Sequence, residues 1–294
     1  MRSEYLKGVL ATLAASVLWG TTGTSASFVV GASAFAVGAA AMGGGGLLQA
    51  LRGWPAVRRN LTGLRKNFGL LFAAALGVMV YPLAFYESMR LSGVTVGTVV
   101  SIGAAPFFTA LIERFVLGTR ITRLAALGMA MGVAGVAMIS VSGGGSAGVG
   151  TSGAMLLGLV SALVAALTYA WYSFAAGLLI RRGIPGKAAM GAEFGLGALM
   201  LLPVLFVTGG PLLEHAVNMV SVGYMIAVPM FLGYILFGAG LARIPASTAV
   251  GLSLLEPAVA ALLAATIVGE RLPALALVGV ATVFASLVLM ARRN

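Results

Sequence analysis

The sequence predicts an all-α polytopic membrane protein with ten transmembrane helices, arranged as two inverted five-helix repeats with both termini in the cytoplasm. Its composition, a series of apolar segments and an internal repeat predict this fold. Of the 294 residues, 60% are hydrophobic and only 9% are charged, whereas an ordinary soluble domain has about 25% charged residues. The composition therefore favours lipid as the main solvent of the chain.

Ten apolar segments of about 20 residues are long enough to cross a hydrocarbon core about 30 Å thick, since each helical residue rises about 1.5 Å. A helix also bonds its backbone polar groups internally, as lipid requires. The predicted segments are Lys7 to Val29, Ala32 to Leu51, Phe68 to Arg90, Val94 to Leu117, Thr122 to Ser142, Ser152 to Ile180, Lys187 to Val207, Val217 to Leu241, Ala246 to Val268 and Pro273 to Ala291. In the second segment, the consecutive glycines from Gly43 to Gly46 weaken a helix by about 1 kcal/mol each, so we expect an irregular helix there.

The 18 lysines and arginines cluster between the apolar segments. With a cytoplasmic N-terminus, 16 of these 18 lie on the cytoplasmic side and only Arg90 and Arg271 lie outside. This asymmetry follows the positive-inside rule and predicts a multi-pass protein of the cell (inner) membrane. The net charge of +11 is thus explained by orientation in the membrane, and no nucleic-acid partner is expected.

An internal repeat divides the chain into two halves. A shift of 151 residues places Pro106 on Pro257, Gly118 on Gly269 and Arg120 on Arg271 without a gap. Because each half contains an odd number of helices, the second copy enters the membrane from the opposite side. The predicted halves are residues 1–145 and 146–294, joined by the uncharged Gly/Ser segment from Ser142 to Ser152.

Short motifs follow one another in a fixed order along the two halves. They are Leu18-Trp19-Gly20, Pro106 followed by Gly118 and Arg120, and Leu255-Glu256-Pro257 followed by Gly269-Glu270-Arg271. This pattern resembles the two EamA repeats of the drug/metabolite transporter superfamily and covers essentially the whole chain. The resemblance implies export of amino acids, aromatic ones included, or of related small metabolites. The first repeat departs from the pattern with Thr119 where the second has Glu270.

Glu256 and two prolines are the first candidate functional residues. Glu256 lies about ten residues into the ninth segment, where an ionisable group costs several kcal/mol unless it is paired, neutral or hydrated. Pro257 is expected to leave the Ser253 carbonyl unpaired beside this carboxylate. Together they predict a site for a substrate ammonium group or a proton, and a protonated glutamate with a structural role is the alternative. Pro106 either kinks the fourth segment or frees a carbonyl near Ser101.

Aromatic residues within the segments form the second candidate group. They are Trp19, Tyr81, Phe85, Tyr86, Tyr169, Trp171, Tyr172, Phe231, Tyr234 and Phe237. Aromatic anchors belong at the membrane surfaces, and deeply placed Trp and Tyr need hydrogen-bond partners. The group predicts an aromatic substrate cavity near the middle of the membrane, with Trp19 and Trp171 as an equivalent pair in the two repeats. Packing alone is the alternative.

The other acidic residues predict structural roles. Glu87 near Arg90 and Glu113 beside Arg114 are expected to form local ion pairs at helix ends. Glu193 lies about two turns from the predicted cytoplasmic surface, towards which its side chain is expected to extend.

The residue types also restrict the classes of function. The chain has no cysteine, no aspartate and one histidine, which leaves an intramembrane enzyme without the usual nucleophiles, bases and metal ligands. No cofactor or metal is expected. Inverted repeats suit a transporter that works by alternating access around a cavity at the middle of the membrane, with a small molecule as its partner besides the bilayer. A proton-coupled exporter of drugs or other small molecules is the alternative to an amino-acid exporter.

Overall fold

In the computed structural model, residues 2–142, 152–268 and 272–291 are described, and all their regular secondary structure is helical. Within these ranges, nine helices are long and apolar enough to cross a membrane, and Arg2–Ala26 is a further helix of 25 residues. The chain is therefore a helical multi-pass membrane protein with nine or ten crossings. Most of the predicted linker, together with Gly269, Glu270, Arg271 and the two C-terminal arginines, lies outside the described residues.

The ten long helices overlap the ten predicted apolar segments. They are α1 (Arg2–Ala26), α2 (Ala34–Arg59), α3 (Phe68–Gly93), α4 (Val96–Leu117), α5 (Arg123–Ser142), α6 (Ser152–Arg181), α7 (Gly186–Thr208), α8 (Ala216–Leu241), α9 (Ala246–Ile267) and α10 (Ala274–Ala291). A short helix, Leu61–Lys66, precedes α3, and a 3-10 turn, Gly210–Leu213, precedes α8. The largest difference from the predicted ends is in α2, which continues past Pro55 to Arg59.

The four consecutive glycines do not interrupt α2, so the expected irregularity is wrong. They allow neighbouring helices to approach closely. A Cβ atom added at Gly46 would lie 2.5 Å from the carbonyl oxygen of Phe194 in α7, and one at Gly45 would overlap Met230 in α8. Close backbone packing stabilises helices in lipid, and here it outweighs the low helix propensity of glycine.

Two other glycines set helix boundaries. Gly93 has a φ of 86° and separates α3 from α4 within one long helical stretch. Gly118 has a φ of 70° and ends α4, where its N–H donates to the carbonyl of Arg114 at 3.0 Å. Both residues adopt the left-handed region that glycine enters without strain.

Helices α5 and α10 pack together through glycines. A Cβ atom at Gly128, near the start of α5, would meet Met290 near the end of α10. Further along α5, the corresponding atom at Gly135 would lie 2.7 Å from the carbonyl oxygen of Gly279, near the start of α10. The two helices are therefore antiparallel.

Helices α2 and α7 pack in the same way. Near the end of α2, Gly53 lies against Lys187 and Gly191, at the start of α7. Earlier in α2, Gly43 faces Leu201. This pair is also antiparallel.

Ionic groups tie helices together at one end of the bundle. At this end lie the start of α1 and the ends of α4, α6, α8 and α10. We call it the basic end because Arg120, Arg181 and Arg243 lie there. The guanidinium group of Arg243 donates to Glu4 at 3.0 Å and so joins α8 to α1. At the opposite end, the Asn218 side chain exchanges two hydrogen bonds of 2.8 Å with the backbone of Val30.

The predicted pair between Glu113 and Arg114 is wrong. Consecutive helical residues point in different directions, and Glu113 is buried against the start of α9. Its carboxylate accepts the N–H of Ala246 at 2.9 Å and the hydroxyl of Ser247. It therefore caps α9 from α4. By contrast, the predicted pair between Glu87 and Arg90 is confirmed, with the Arg90 Nε donating at 2.9 Å.

Candidate functional site

A cavity of about 60 Å³ lies between α1, α2, α3, α6, α8 and α9. Its lining consists of Trp19, Thr22, Gly38, Ala41, Met42, Tyr81, Pro82, Phe85, Tyr86, Tyr169, Tyr172, Met230, Tyr234 and Glu256. Thr22 lies near the end of α1 and Gly38 near the start of α2, both at the end opposite the basic end. The cavity thus extends from the middle of the bundle away from the basic end.

Packed aromatic rings surround the inner part of this cavity. The ring centroid of Tyr234 lies 4.9 Å from that of Trp19 and 4.3 Å from that of Phe194. The ring centroids of Tyr81 and Tyr169 lie 5.4 Å apart, with the two rings tilted by 41°. Rings at these separations stabilise one another and hold the inner wall of the cavity in place.

Most polar ends of these aromatic side chains bond to one another or to the backbone. The hydroxyl groups of Tyr172 and Tyr234 share a hydrogen bond of 2.8 Å, and the Tyr169 hydroxyl donates to Ser253 Oγ at 2.9 Å. The indole N–H of Trp19 donates to the carbonyl of Pro229 at 2.9 Å. These bonds satisfy the buried groups and fix the ring orientations.

The carbonyl that Trp19 contacts belongs to an irregular part of α8. Residues Ile226–Gly233 form a π-helical segment that contains Pro229. Proline removes a backbone donor, and π-helical segments often occur at functional sites. The irregular turn gives Trp19 a backbone acceptor inside the bundle.

Glu256 contributes a carboxyl group to the cavity lining. This carboxyl group makes no hydrogen bond or ion pair with any residue in the described ranges. The buried hydroxyl oxygen of Thr22, on the facing α1, also has no partner there. The Glu256 carboxyl group and the Thr22 hydroxyl group, in a cavity lined mainly by aromatic and apolar residues, are therefore available to a ligand.

A break in α9 positions Glu256. Helical segments Ala246–Leu252 and Leu255–Leu263 are separated at Ser253 and Leu254, a few residues before Pro257, as expected of proline. The predicted free carbonyl of Ser253 is wrong, because it accepts the N–H of Glu256 at 2.9 Å. This tighter turn uses the carbonyl of Ser253 as an acceptor, so Glu256 offers a ligand its carboxyl group without that carbonyl beside it.

The cavity brings together most of the candidate residues from the sequence. Those in its lining are Trp19, Tyr81, Phe85, Tyr86, Tyr169, Tyr172, Tyr234 and Glu256. Ser101, Trp171, Phe231 and Phe237 are not in the lining. Phe237 is buried, and its ring centroid lies 5.2 Å from that of Trp19. Ser101 is fully buried with its hydroxyl 3.5 Å from that of Ser88, Trp171 packs on Phe174, and Phe231 accepts a hydrogen bond from Gln49 through its carbonyl.

Sequence reasoning missed two members of the site, Phe194 and Thr22. Phe194 supports the cavity through its ring contact with Tyr234. Thr22 carried no signal in the sequence, since its importance depends on the cavity and on its hydroxyl oxygen, which has no partner among the described residues.

Glu193 does not extend towards the membrane surface, so that expectation is wrong. Its side chain is fully buried, and neither carboxyl oxygen has a hydrogen-bond partner among the described residues. Neighbouring α7 residues pack closely on α2 and on Tyr234, which leaves the short side chain no path to the surface.

Replacing Glu193 with methionine is expected to stabilise the protein. A buried polar group without a partner costs about 1–3 kcal/mol, and methionine has a similar shape without that cost. Thermal unfolding of the detergent-solubilised protein would measure the gain. The exposed Glu214→Met variant is the control. A lower unfolding temperature for Glu193→Met than for the wild type would contradict this expectation.

The chain is similar to a transporter family and to proteins named as a transporter and an exporter. The profile of the EamA-like transporter family matches residues 6–141 and again residues 156–292. An uncharacterized transporter of Bacillus subtilis, YwfM, is 28% identical over 282 residues, covering 96% of this chain and 92% of that protein. A probable terminal-alkyne amino-acid exporter of Streptantibioticus cattleyicolor is 31% identical over 199 residues, covering 66% of this chain and 63% of that protein.

A solved crystal structure shares the fold. Its TM-score is 0.80 at 18% sequence identity, and the match covers 96% of this chain and 95% of the other. At this identity the likeness supports the fold alone. The two family matches together span nearly the whole sequence. The chain therefore belongs to the EamA-like transporter family of the drug/metabolite transporter superfamily, and it is a transporter and not an enzyme.

Proposed function

We propose that this transporter exports amino acids or related small metabolites across the inner membrane by alternating access around the cavity that contains Glu256. The observation that carries the proposal is a carboxyl group without a described partner, set among aromatic rings in the middle of the bundle. An unpaired ionisable group is costly at this depth, and a cationic ligand would offset that cost.

The lining suits both parts of an amino acid. Glu256 would accept hydrogen bonds from a substrate ammonium group, and the Thr22 hydroxyl would contact a second polar group. Tyr81, Phe85 and Tyr86 offer an aromatic surface to an apolar side chain. The name of the exporter from Streptantibioticus cattleyicolor is consistent with this substrate class.

The size of the cavity supports a conformational cycle. Its volume of about 60 Å³ accommodates a few water molecules, whereas ligand sites have volumes of about 300–1,000 Å³. Helices must therefore separate before a substrate can enter. Because the cavity extends away from the basic end, we assign this conformation as closed towards the cytoplasm.

The packing of α5 on α10 supports two inverted repeats. The α10 neighbours of Gly128 are Ser286, Leu289 and Met290, whereas the α5 neighbours of Gly279 are Gly135, Met138 and Ile139. Each residue in one set differs by 151 from its counterpart in the other, which is the shift of the sequence repeat. Equivalent antiparallel helices with exchanged contacts are the arrangement that an in-plane two-fold axis produces.

Cysteine labelling tests the proposed topology. The chain has no native cysteine, so single cysteines can be placed at Arg120 and Arg271, which are equivalent in the repeat. In intact cells, a membrane-impermeant maleimide is expected to label the cysteine at 271 and not the one at 120. A cysteine at Arg65 controls for the cytoplasmic side. Labelling of 120 and 271 from the same side would rule out inverted repeats.

Transport by reconstituted protein tests the proposed function. Proteoliposomes would be assayed for uptake of labelled threonine, methionine and phenylalanine, with and without a pH gradient. Uptake above that of protein-free liposomes is expected for at least one of them, and dependence on the gradient would identify proton coupling. If none of the three is transported under either condition, amino-acid export is wrong.

A further inference from the structure

A second and larger cavity, of about 410 Å³, lies at the basic end. It is bounded by α1, α4, α5, α6, α9 and α10 and by the loop that joins α4 to α5. None of its lining residues belongs to the cavity that contains Glu256. It is therefore distinct from the cavity that contains Glu256.

Two guanidinium groups line this cavity, and neither is fully engaged. Arg120 is exposed and has no ion pair with any residue of the described ranges. The Nη2 atom of Arg181 lies 3.6 Å from Oε1 of Glu113, and this distance is longer than that of a good hydrogen bond. A guanidinium group has five N–H donors, so most of the donors of both arginines are available.

The acidic residue in the lining, Glu113, already forms hydrogen bonds within the protein. The Glu113 carboxylate accepts hydrogen bonds from Ala246 N and Ser247 Oγ at the start of α9. These bonds hold it as a helix cap. Two arginines against one glutamate give the lining an excess of one positive charge, and the hydroxyl groups of Thr119 and Thr248 add neutral donors.

We propose that this cavity binds a phosphate group at Arg120 and Arg181. Guanidinium forks match phosphate oxygens in shape and charge, and the volume is ample for a headgroup. Two sources share this chemistry: the headgroup of an anionic phospholipid, for which basic pockets between transmembrane helices are suited, and a soluble phosphate compound. The apolar inner wall, formed in part by Met129 and Leu289, would contact the uncharged part of either ligand.

Binding measurements on the full-length protein separate these sources. Native mass spectrometry would compare retention of phosphatidylglycerol with that of phosphatidylethanolamine, and thermal unfolding would be followed with and without inorganic phosphate. Preferential retention of phosphatidylglycerol identifies a lipid site, and stabilisation by inorganic phosphate without that preference identifies a soluble ligand. Arg120→Gln and Arg181→Gln are each expected to weaken the observed binding at least tenfold.

The matched control is Arg65→Gln, which removes an exposed arginine outside the cavity. It is expected to bind as the wild type does. Arg120→Gln decides the result, since this residue has no described partner whose loss could disturb folding. Wild-type binding by Arg120→Gln, an equal loss in Arg65→Gln, or the absence of both lipid preference and phosphate stabilisation would overturn the proposal.

Discussion

Glu256→Gln is expected to reduce transport about 10- to 100-fold, because the charge-assisted bond to a substrate ammonium group contributes about 1.5–3 kcal/mol. Glutamine keeps the size of the side chain and loses its charge. The loss should appear in the initial rate of uptake by proteoliposomes that contain equal amounts of folded protein. Acidification that protonates Glu256 should weaken transport by the wild type and leave the residual activity of Glu256→Gln nearly unchanged.

Glu87→Gln is the matched control for this substitution. Glu87 forms an exposed pair with Arg90 at the end of α3, and such pairs contribute about 0–1 kcal/mol. Transport by this variant should equal that of the wild type. If Glu256→Gln has the same kinetics as Glu87→Gln over a range of pH, Glu256 has no part in substrate binding.

Gly135→Leu is expected to destabilise the protein by about 3 kcal/mol or more, because the new side chain has no space at the α5–α10 contact. A Cβ atom at this position would lie 2.7 Å from the Gly279 carbonyl oxygen and 2.9 Å from the Val283 amide nitrogen. These are backbone atoms, so the strain can be relieved only by separating the helices. Thermal unfolding in detergent and the yield of monodisperse protein would both report the effect.

Gly223→Leu provides the comparison. Gly223 lies on an exposed face of α8, and an added Cβ atom there has no neighbour within 4 Å in the described part of the protein. The leucine would face lipid, where it is favourable. Gly223→Leu should unfold at or above the wild-type temperature. Equal unfolding temperatures for Gly135→Leu and Gly223→Leu would mean that the glycine contact does not hold α5 and α10 together.

The positions of the helices could be predicted largely from hydropathy, because the thickness of the bilayer sets the length of an apolar helix. The helix propensity of individual residues was less informative about the regularity of each helix. It predicted an irregular α2 around Gly43 to Gly46, but helix packing decides the conformation there. The end of α2 was also missed, since the polar residues up to Arg59 continue the helix beyond its apolar part.

The candidate site was predicted in part. Depth in the segment and residue type identified Glu256 and Trp19, both of which line the cavity. Which face of a helix points inward depends on tertiary packing, and this is why Trp171 and its neighbour Tyr172 were both selected although only Tyr172 lines the cavity. The capping role of Glu113 joins residues 133 positions apart, and no local pattern in the sequence encodes such a bond.

The exchanged contacts of α5 and α10 also constrain how the sequence can change. Because Gly128 and Gly279 occupy equivalent environments, enlarging either one disturbs the same kind of surface on the other half. Tolerance to mutation along this interface should therefore come in matched pairs of positions. A Cβ atom added at Gly128 meets Ser286, Leu289 and Met290, and one added at Gly279 meets Gly135, Met138 and Ile139. A change that compensates for enlarging either glycine must therefore arise in the helix of the opposite half.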